Sequence, residues 1–342
     1  MKLDSDIDRE RYVLALCDAL IMFEAANASD NHFTDAAYGI MRGLLDGFLN
    51  QGYSMKHVYD RIVLQPGKEF VGILKDINND LKSRFLLTGI AYLEKAGDKE
   101  RGSMETTILR CFDWLAGGTM ANFFDQGRFP VEQFVEGNSD IFLVLPPDMI
   151  KRYSRVVRLV ISTAGSKILR TPVSKLHKRY PFLIDEIAQL KYFPYIEEMI
   201  EVGGGYGIRV IAIFQTLSQV REYKKADLFE NMQVKHFFAT TDIKTMDWIK
   251  RLGGTKTIKN ISSSESTNQK RKFLSSPENL GTSTSEQEVG TTLIHDDQIT
   301  TMPVDEKWLF ISKKRPIKCK KIYYFEDPRY AGKYQDNQIE TR

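Results

Sequence analysis

Pro181-Phe182-Leu183-Ile184-Asp185-Glu186-Ile187-Ala188-Gln189-Leu190 is the stretch that decides how this chain is read. Its apolar run has the length of a buried strand, and it ends in two adjacent carboxylates. A nucleoside triphosphatase needs such a pair where strand C-termini face the nucleotide. The first carboxylate holds magnesium, usually through its water, and the second orients the attacking water. The pair by itself is a weak signal, because a solvated strand end that begins a helix has the same letters. Gln215 strengthens it. That residue ends the next apolar run, Ile208–Phe214, on the rim where open parallel sheets build their sites. A glutamine there can sense the terminal phosphate or position water; the competing reading is a residue that caps the following helix.

Working outward, residues from about Asp8 to Gln126 read as helical. Apolar residues recur at helical spacing at Tyr12, Leu16, Ala19, Leu20 and Phe23, at Ile40, Leu44, Leu45 and Phe48, and at Ile108, Leu109, Phe112 and Leu115. After Gly127 the pattern changes. Ile141–Leu145, closed by Pro146-Pro147, reads as a buried strand, with Asp148 placed to cap the next helix. Pro194 opens a short helix that Gly203-Gly204-Gly205 stops. Val234–Thr240 reads as a further strand, and Asp242 caps a helix ending at Gly253-Gly254. Alternating strands and helices imply a parallel sheet covered on both faces. Thr257–Thr292, rich in Ser and Thr with Lys270-Arg271-Lys272 at its middle, reads as a mobile excursion or loose hairpin. Strands at Trp308–Ile311 and Lys318–Phe325 flank a basic turn, Lys313-Lys314-Arg315-Pro316.

Composition excludes several classes. The 342 residues are 42% hydrophobic and 27% charged, with a net charge of only +3, enough for a core and roughly two domains. Cys17, Cys111 and Cys319 form neither a disulfide framework nor a metal pair. His32, His57, His177, His236 and His295 lack zinc-ligand spacing. The apolar runs fall far short of the ~20 residues that cross a bilayer, and the acidic N-terminus, with Asp4, Asp6, Asp8 and Glu10, is unlike a signal peptide.

The phosphate-cradling half of a nucleotide site is missing from these residues. No GxxxxGK followed by Ser or Thr occurs. Gly67-Lys68 is followed by Glu69, and Gly253-Gly254-Thr255-Lys256-Thr257 has the wrong spacing.

Taken together, the stretch Phe182–Leu190, the turn Gly203–Arg209 (GGGYGIR) and Ile213-Phe214-Gln215 resemble the type IV secretion coupling proteins, the TraG/TraD-type ATPases of conjugation. Phe142–Asp148 and Lys318–Tyr330 support the match, which spans roughly Phe129 to Tyr330. The resemblance implies an α/β fold: a RecA-like P-loop NTPase sheet, incomplete on its N-terminal side, with an all-helical domain. It divides the chain into a helical part of the nucleotide-binding domain (1–54), the all-helical domain (55–127), the second half of the motor domain (128–330, with 257–292 as the excursion) and a tail (331–342). It makes Asp185 the Walker B magnesium residue, Glu186 the catalytic carboxylate and Gln215 the phosphate-sensing glutamine. Where the family often carries a trans-acting arginine this chain has Gly204. Arg209 is the substitute candidate, and a surface arginine opening a strand is the plainer reading.

The resemblance further implies ATP and Mg2+ as cofactors once the P-loop half is supplied. Its partners are the secretion channel, relaxosome or effector substrates including DNA, and either further copies in a hexamer or a separate chain carrying Walker A. It places the chain at the cytoplasmic face of the inner membrane. The leading expectation is a split or truncated motor, inactive alone, with an exposed apolar sheet edge that a partner fills. The alternatives are a non-catalytic substrate-recruiting adaptor, a decayed fragment of the same family, and a ring translocase of the HerA/FtsK kind.

Overall fold

A computed structural model describes residues 6–22, 31–126, 129–176, 179–266 and 281–334. The chain divides into two compact units, Met1–Glu230 and Asn231–Arg342.

The first unit begins with α1 (Asp6–Leu20), α2 (Asn31–Asn50), α3 (Met55–Ile62), α4 (Phe70–Leu81), α5 (Arg84–Lys95), α6 (Asp98–Arg110), α7 (Gly118–Gln126) and α8 (Val131–Val135). The helical stripes bury as their spacing demands: Leu16, Ala19 and Leu20 of α1 and Ile40, Leu44, Leu45 and Phe48 of α2 are all within 4% of full burial. Phe23 lies outside the described residues. Side-chain caps fix two helix starts, with Ser54 Oγ accepting from His57 N and Ser83 Oγ from Leu86 N, each satisfying an otherwise unpaired donor. Helices α2 and α5 approach closely through glycines. A Cβ on Gly43 would stand 2.3 Å from the Leu86 nitrogen, and one on Gly89 would stand 2.4 Å from Ile40 Cγ1.

The same unit continues through α9 (Ile150–Arg170), β1 (Tyr180–Ile184), α10 (Pro194–Val202), β2 (Ile208–Ala212), α11 (Leu217–Val220) and α12 (Ala226–Glu230). Helix α9 is buried on nearly every side, including Ser154, Arg158, Ser162 and Ser166 as well as Val156, Leu159 and Ile168, so it serves as the internal axis of the unit. Strands β1 and β2 pair in parallel from Tyr180↔Ile208 to Ile184↔Ala212. Pro194 stands at the start of α10, and the glycine turn after it is a 3-10 turn closed by Gly207 at φ 84°, a conformation that favours glycine.

The second unit contains β3 (Val234–Phe237), α13 (Ile243–Gly253), β4 (Thr255–Ser266), β5 (Gly281–Thr292), α14 (Asp296–Thr300), β6 (Glu306–Ile311) and β7 (Ile317–Lys320). Its core is Phe237, Ile249, Ile294, Ile299 and Phe310. Asp242 caps α13, its Oδ2 accepting from Thr245 N at 2.9 Å, and Gly254 follows the helix at φ 78°.

Several sequence expectations need correction. The run Ile141–Leu145 forms no strand: Phe142 and Val144 are 87% and 86% exposed, and no described strand pairs with them. An apolar run becomes a strand only where a neighbour satisfies its backbone. Asp148 does not cap α9, which begins after a 3-10 turn at Pro147–Met149 with no side-chain cap bond. Among the described residues only β1 and β2 pair in parallel, while β3, β6 and β7 form a separate antiparallel sheet. The last strand ends at Lys320, with one further bond of the same register from Lys321 N to Asp305 O, and residues 321–325 form no strand. The expected excursion is a regular hairpin, β4 pairing with β5 through twelve residue pairs from Thr255↔Thr292 to Ser266↔Gly281. Its β-branched and hydroxyl residues suit extended backbone. Lys270-Arg271-Lys272 and the tail beyond Tyr334 lie outside the described residues.

Candidate active site

The site lies where β1 and β2 end together. Beyond the last register pair the ladder continues, with Ile213 N donating to Ile184 O at 3.1 Å and Ile187 N donating to Ile213 O at 3.2 Å. The backbone between these bonds must turn within two residues, and it does so at Glu186, whose φ of 49° and ψ of 51° are left-handed. That conformation costs a non-glycine residue roughly 1–3 kcal/mol and persists only where the surroundings over-determine it.

Asp185 points outward at the rim, exposed, and Glu186 is half-buried beside it. From the end of β2, Gln215 Nε2 donates to Glu186 Oε1 at 2.8 Å. Gln215 is itself fixed at the main chain, its N–H donating to Gln219 Oε1 at 2.7 Å within a capping box shared with Thr216. The strand ends thus bring Asp185, Glu186 and Gln215 to one rim. Arg209 is elsewhere. It sits near the opposite end of β2, six residues or about 20 Å of extended backbone from Gln215, where its guanidinium donates to Ile208 O at 2.7 Å and Gly204 O at 3.2 Å.

Among the described residues no three His, Cys, Asp or Glu side chains cluster to cage a metal. Magnesium does not require such a cage, since it keeps several waters and takes one or two carboxylates plus phosphate oxygens. An exposed rim aspartate beside a carboxylate already held by an amide donor suits that role.

Sequence reasoning missed the support beneath this turn. The segment after Glu186 runs through a 3-10 turn, Ile187–Leu190, to Lys191 at φ 57° and ψ −166°, a region that is essentially glycine's own. Leu190 O and Tyr192 O accept from Arg158 Nη1 of α9 at 3.2 and 3.4 Å, and Lys191 O accepts from Tyr223 OH at 3.3 Å. The available signal was an arginine inside an otherwise apolar helix, Val156-Val157-Arg158-Leu159-Val160.

Comparison with known proteins fits this geometry. Residues 19–342 match the family described as type IV secretory system conjugative DNA transfer. The chain belongs to that family. Among its relatives, the conjugal transfer protein TraG of Rhizobium radiobacter is 23% identical over 326 residues, covering 92% of this chain and 49% of the relative. The type IV secretion system-coupling protein VirD4 of Bartonella quintana is 24% identical over 315 residues, covering 88% and 47%. The chain therefore spans about half the length of the curated relatives it matches. Its fold is that of the bacterial conjugative coupling protein TrwB. The unbound monoclinic form superposes with a TM-score of 0.69 at 16% identity, over 96% of this chain and 71% of that one. The form of TrwB in complex with ADP and Mg2+ gives 0.66 at 17%, over 96% and 71%. The α/β, RecA-like fold with a helical region is thereby established for this family member.

Proposed function

We propose that this chain is the Walker B portion of a coupling-protein motor ATPase that recruits DNA or protein substrates to a type IV secretion channel. The observation that carries the reading is the 2.8 Å bond from Gln215 to Glu186 at the joined strand ends, with Asp185 beside it. Bound ATP with Mg2+ supplies the phosphoryl electrophile. Asp185 would hold the metal, Glu186 would orient the attacking water and accept its proton, and Gln215, which already bonds Glu186, would hold that carboxylate in position for the task. Gln215 is also the group placed to exchange this contact for a terminal phosphate oxygen.

The phosphate loop has to come from polypeptide outside these 342 residues, because no GxxxxGK[ST] lies within them. The open flank of the sheet supports that reading. Among the described residues β2 pairs with β1 alone, and Leu183, Ile211 and Ile213 are 67%, 48% and 42% exposed. A parallel strand leading into a phosphate loop fits this edge by pairing its open backbone, while the exposed apolar side chains lie on the faces of the sheet. Further copies of the chain, an arginine supplied across a subunit boundary with Arg209 as its candidate, and a place at the cytoplasmic face of the inner membrane complete the proposal. No described helix is long and apolar enough to cross a membrane.

The adaptor reading rests on the same missing loop, and one measurement separates the two. The assembly is purified from its native host through a tag on this chain, and magnesium-dependent ATP hydrolysis is compared with that of Glu186→Gln. Loss of general-base assistance lowers kcat by about 10²–10⁴-fold while nucleotide binding persists. Equal turnover in the two assemblies would remove Glu186 from its role and favour the adaptor.

A further inference from the structure

Arg158 is fully buried on α9, with 0% of its surface exposed, and no carboxylate forms an ion pair with it among the described residues. A guanidinium in such a place must satisfy its donors on backbone carbonyls. Its two terminal nitrogens do so in two directions, while Nε has no hydrogen-bond partner. Nη2 donates to Asp18 O and to Ile21 O (3.0 Å for the latter), both at the C-terminus of α1, where unpaired carbonyls and the helix dipole favour a cation. Nη1 donates to Leu190 O and Tyr192 O, the carbonyls on either side of Lys191. The guanidinium also lies over the Phe193 ring, 4.5 Å from its centroid. Burial, reinforced by Arg155, lowers its pKa to about 9, so it is charged at neutral pH.

The neighbouring Arg155 supplies an internal comparison. It stands three residues earlier on the same helix and donates to Leu20 O at 2.8 Å, so it too caps α1. Among the described residues it has no recorded bond to the turn after β1. Capping of α1 therefore does not explain the second arm of Arg158. That arm ends on a backbone that needs restraint: Lys191 occupies a glycine-type conformation, and Glu186, five residues earlier in the same turn, is left-handed.

We propose that Arg158 is a positioning residue for the acidic rim, clamping the turn from Glu186 to Tyr192 so that Glu186 meets Gln215, while its other arm ties that turn to the end of α1. The proposal rests on the assignment of Glu186 to the candidate site, but its test does not need catalysis.

The test is amide hydrogen exchange on the 342-residue chain, comparing wild type with Arg158→Lys and Arg155→Lys. A lysine keeps the charge but cannot reach carbonyls on two sides at once. Exchange across residues 187–191, whose amides bond Ile213 O, Glu186 O and Ala188 O, rises about tenfold in Arg158→Lys as the local opening energy falls. In Arg155→Lys it stays within about twofold, although α1 frays in both. Adding Lys191→Gly to Arg158→Lys restores most of the protection, because glycine holds that conformation without a clamp. Equal behaviour of the two lysine variants, or unchanged protection of 187–191 in Arg158→Lys, overturns the proposal. If Arg158→Lys does not fold, Phe193→Leu, which removes the ring stacked on the guanidinium together with its contact to Tyr195, takes its place on the same amides, and unchanged protection of 187–191 overturns the proposal. In the tagged assembly, Arg158→Lys lowers kcat for ATP and leaves KM unchanged. An inactive wild-type assembly would instead defeat the motor reading and leave the exchange result standing.

Discussion

Asp18 makes the stability of the first unit depend on pH in a direction opposite to that of most carboxylates. The residue lies near the end of α1, and its carboxyl Oδ1 accepts from Tyr38 OH at 3.0 Å. Burial raises its pKa from 3.8 to about 6, opposed by the Tyr38 bond and Arg158 and aided by Glu198 on α10. A raised folded-state pKa means that the fold favours the protonated acid. Its contribution is then fully present below pH 3.8 and is lost as pH rises through about 6. At 1.36 kcal/mol per unit the full span is about 3 kcal/mol, of which about 2 kcal/mol falls between pH 4.5 and 7.5. Asp18→Asn keeps an acceptor for Tyr38 and removes the titration. Urea unfolding, followed through the buried Trp114, measures wild type against Asp18→Asn at both pH values. With a slope of about 3 kcal/mol/M, the wild-type midpoint drops by about 0.7 M relative to the variant on going to pH 7.5. Subtracting the variant cancels the titrating groups that do not interact with Asp18. Parallel profiles for the two proteins would refute the assignment of a buried, proton-retaining Asp18.

Gly43 and Gly39 lie one helical turn apart on α2 and should respond oppositely to alanine. At Gly43 the new methyl meets the Leu86 backbone, and thermal unfolding should show a loss of about 1–3 kcal/mol; at Gly39 nothing lies within 4 Å, and a gain of about 0.5–1 kcal/mol follows from helix propensity. Thr216→Ala removes the capping box beneath Gln215 and should cost about 1 kcal/mol in the same unfolding assay. Gln215→Ala leaves Glu186 without its 2.8 Å donor; ATP hydrolysis by the tagged assembly should fall at least tenfold, and an unchanged rate would remove Gln215 from the site.

What was legible in the sequence was whatever local chemistry dictates. Asp242 caps its helix, Pro194 opens one, and Gly207 and Gly254 take positive φ where helices stop. The acidic strand end and the glutamine of the next strand also read correctly as neighbours, because adjacent parallel strands must share a rim. Support from distant residues was not legible. Arg158 is 27 residues from Asp185, and an arginine in an apolar helix carries no mark of which carbonyls it will meet. Lys191 gave no warning either, since lysine rarely adopts that backbone and does so here under restraint from three held carbonyls.

The strand that failed shows why a sheet cannot be counted from apolar runs alone. Ile141–Leu145 and Phe182–Ile184 are both continuous apolar runs, yet only the second pairs, because Ile208–Ala212 lies parallel to it and takes up its backbone donors and acceptors. Pairing is a property of two segments, so a run whose neighbour is not present has nothing to satisfy its amides. The same argument applies to the outer edge of β2. Its unpaired backbone is a ready acceptor for one more strand, and the phosphate loop that the proposed function calls for follows a strand in the P-loop arrangement of strand, loop and helix. On the proposed reading, one added segment would therefore meet both needs at once: it would pair the open backbone edge of β2 and bring a phosphate cradle to the end of the sheet where Asp185, Glu186 and Gln215 stand.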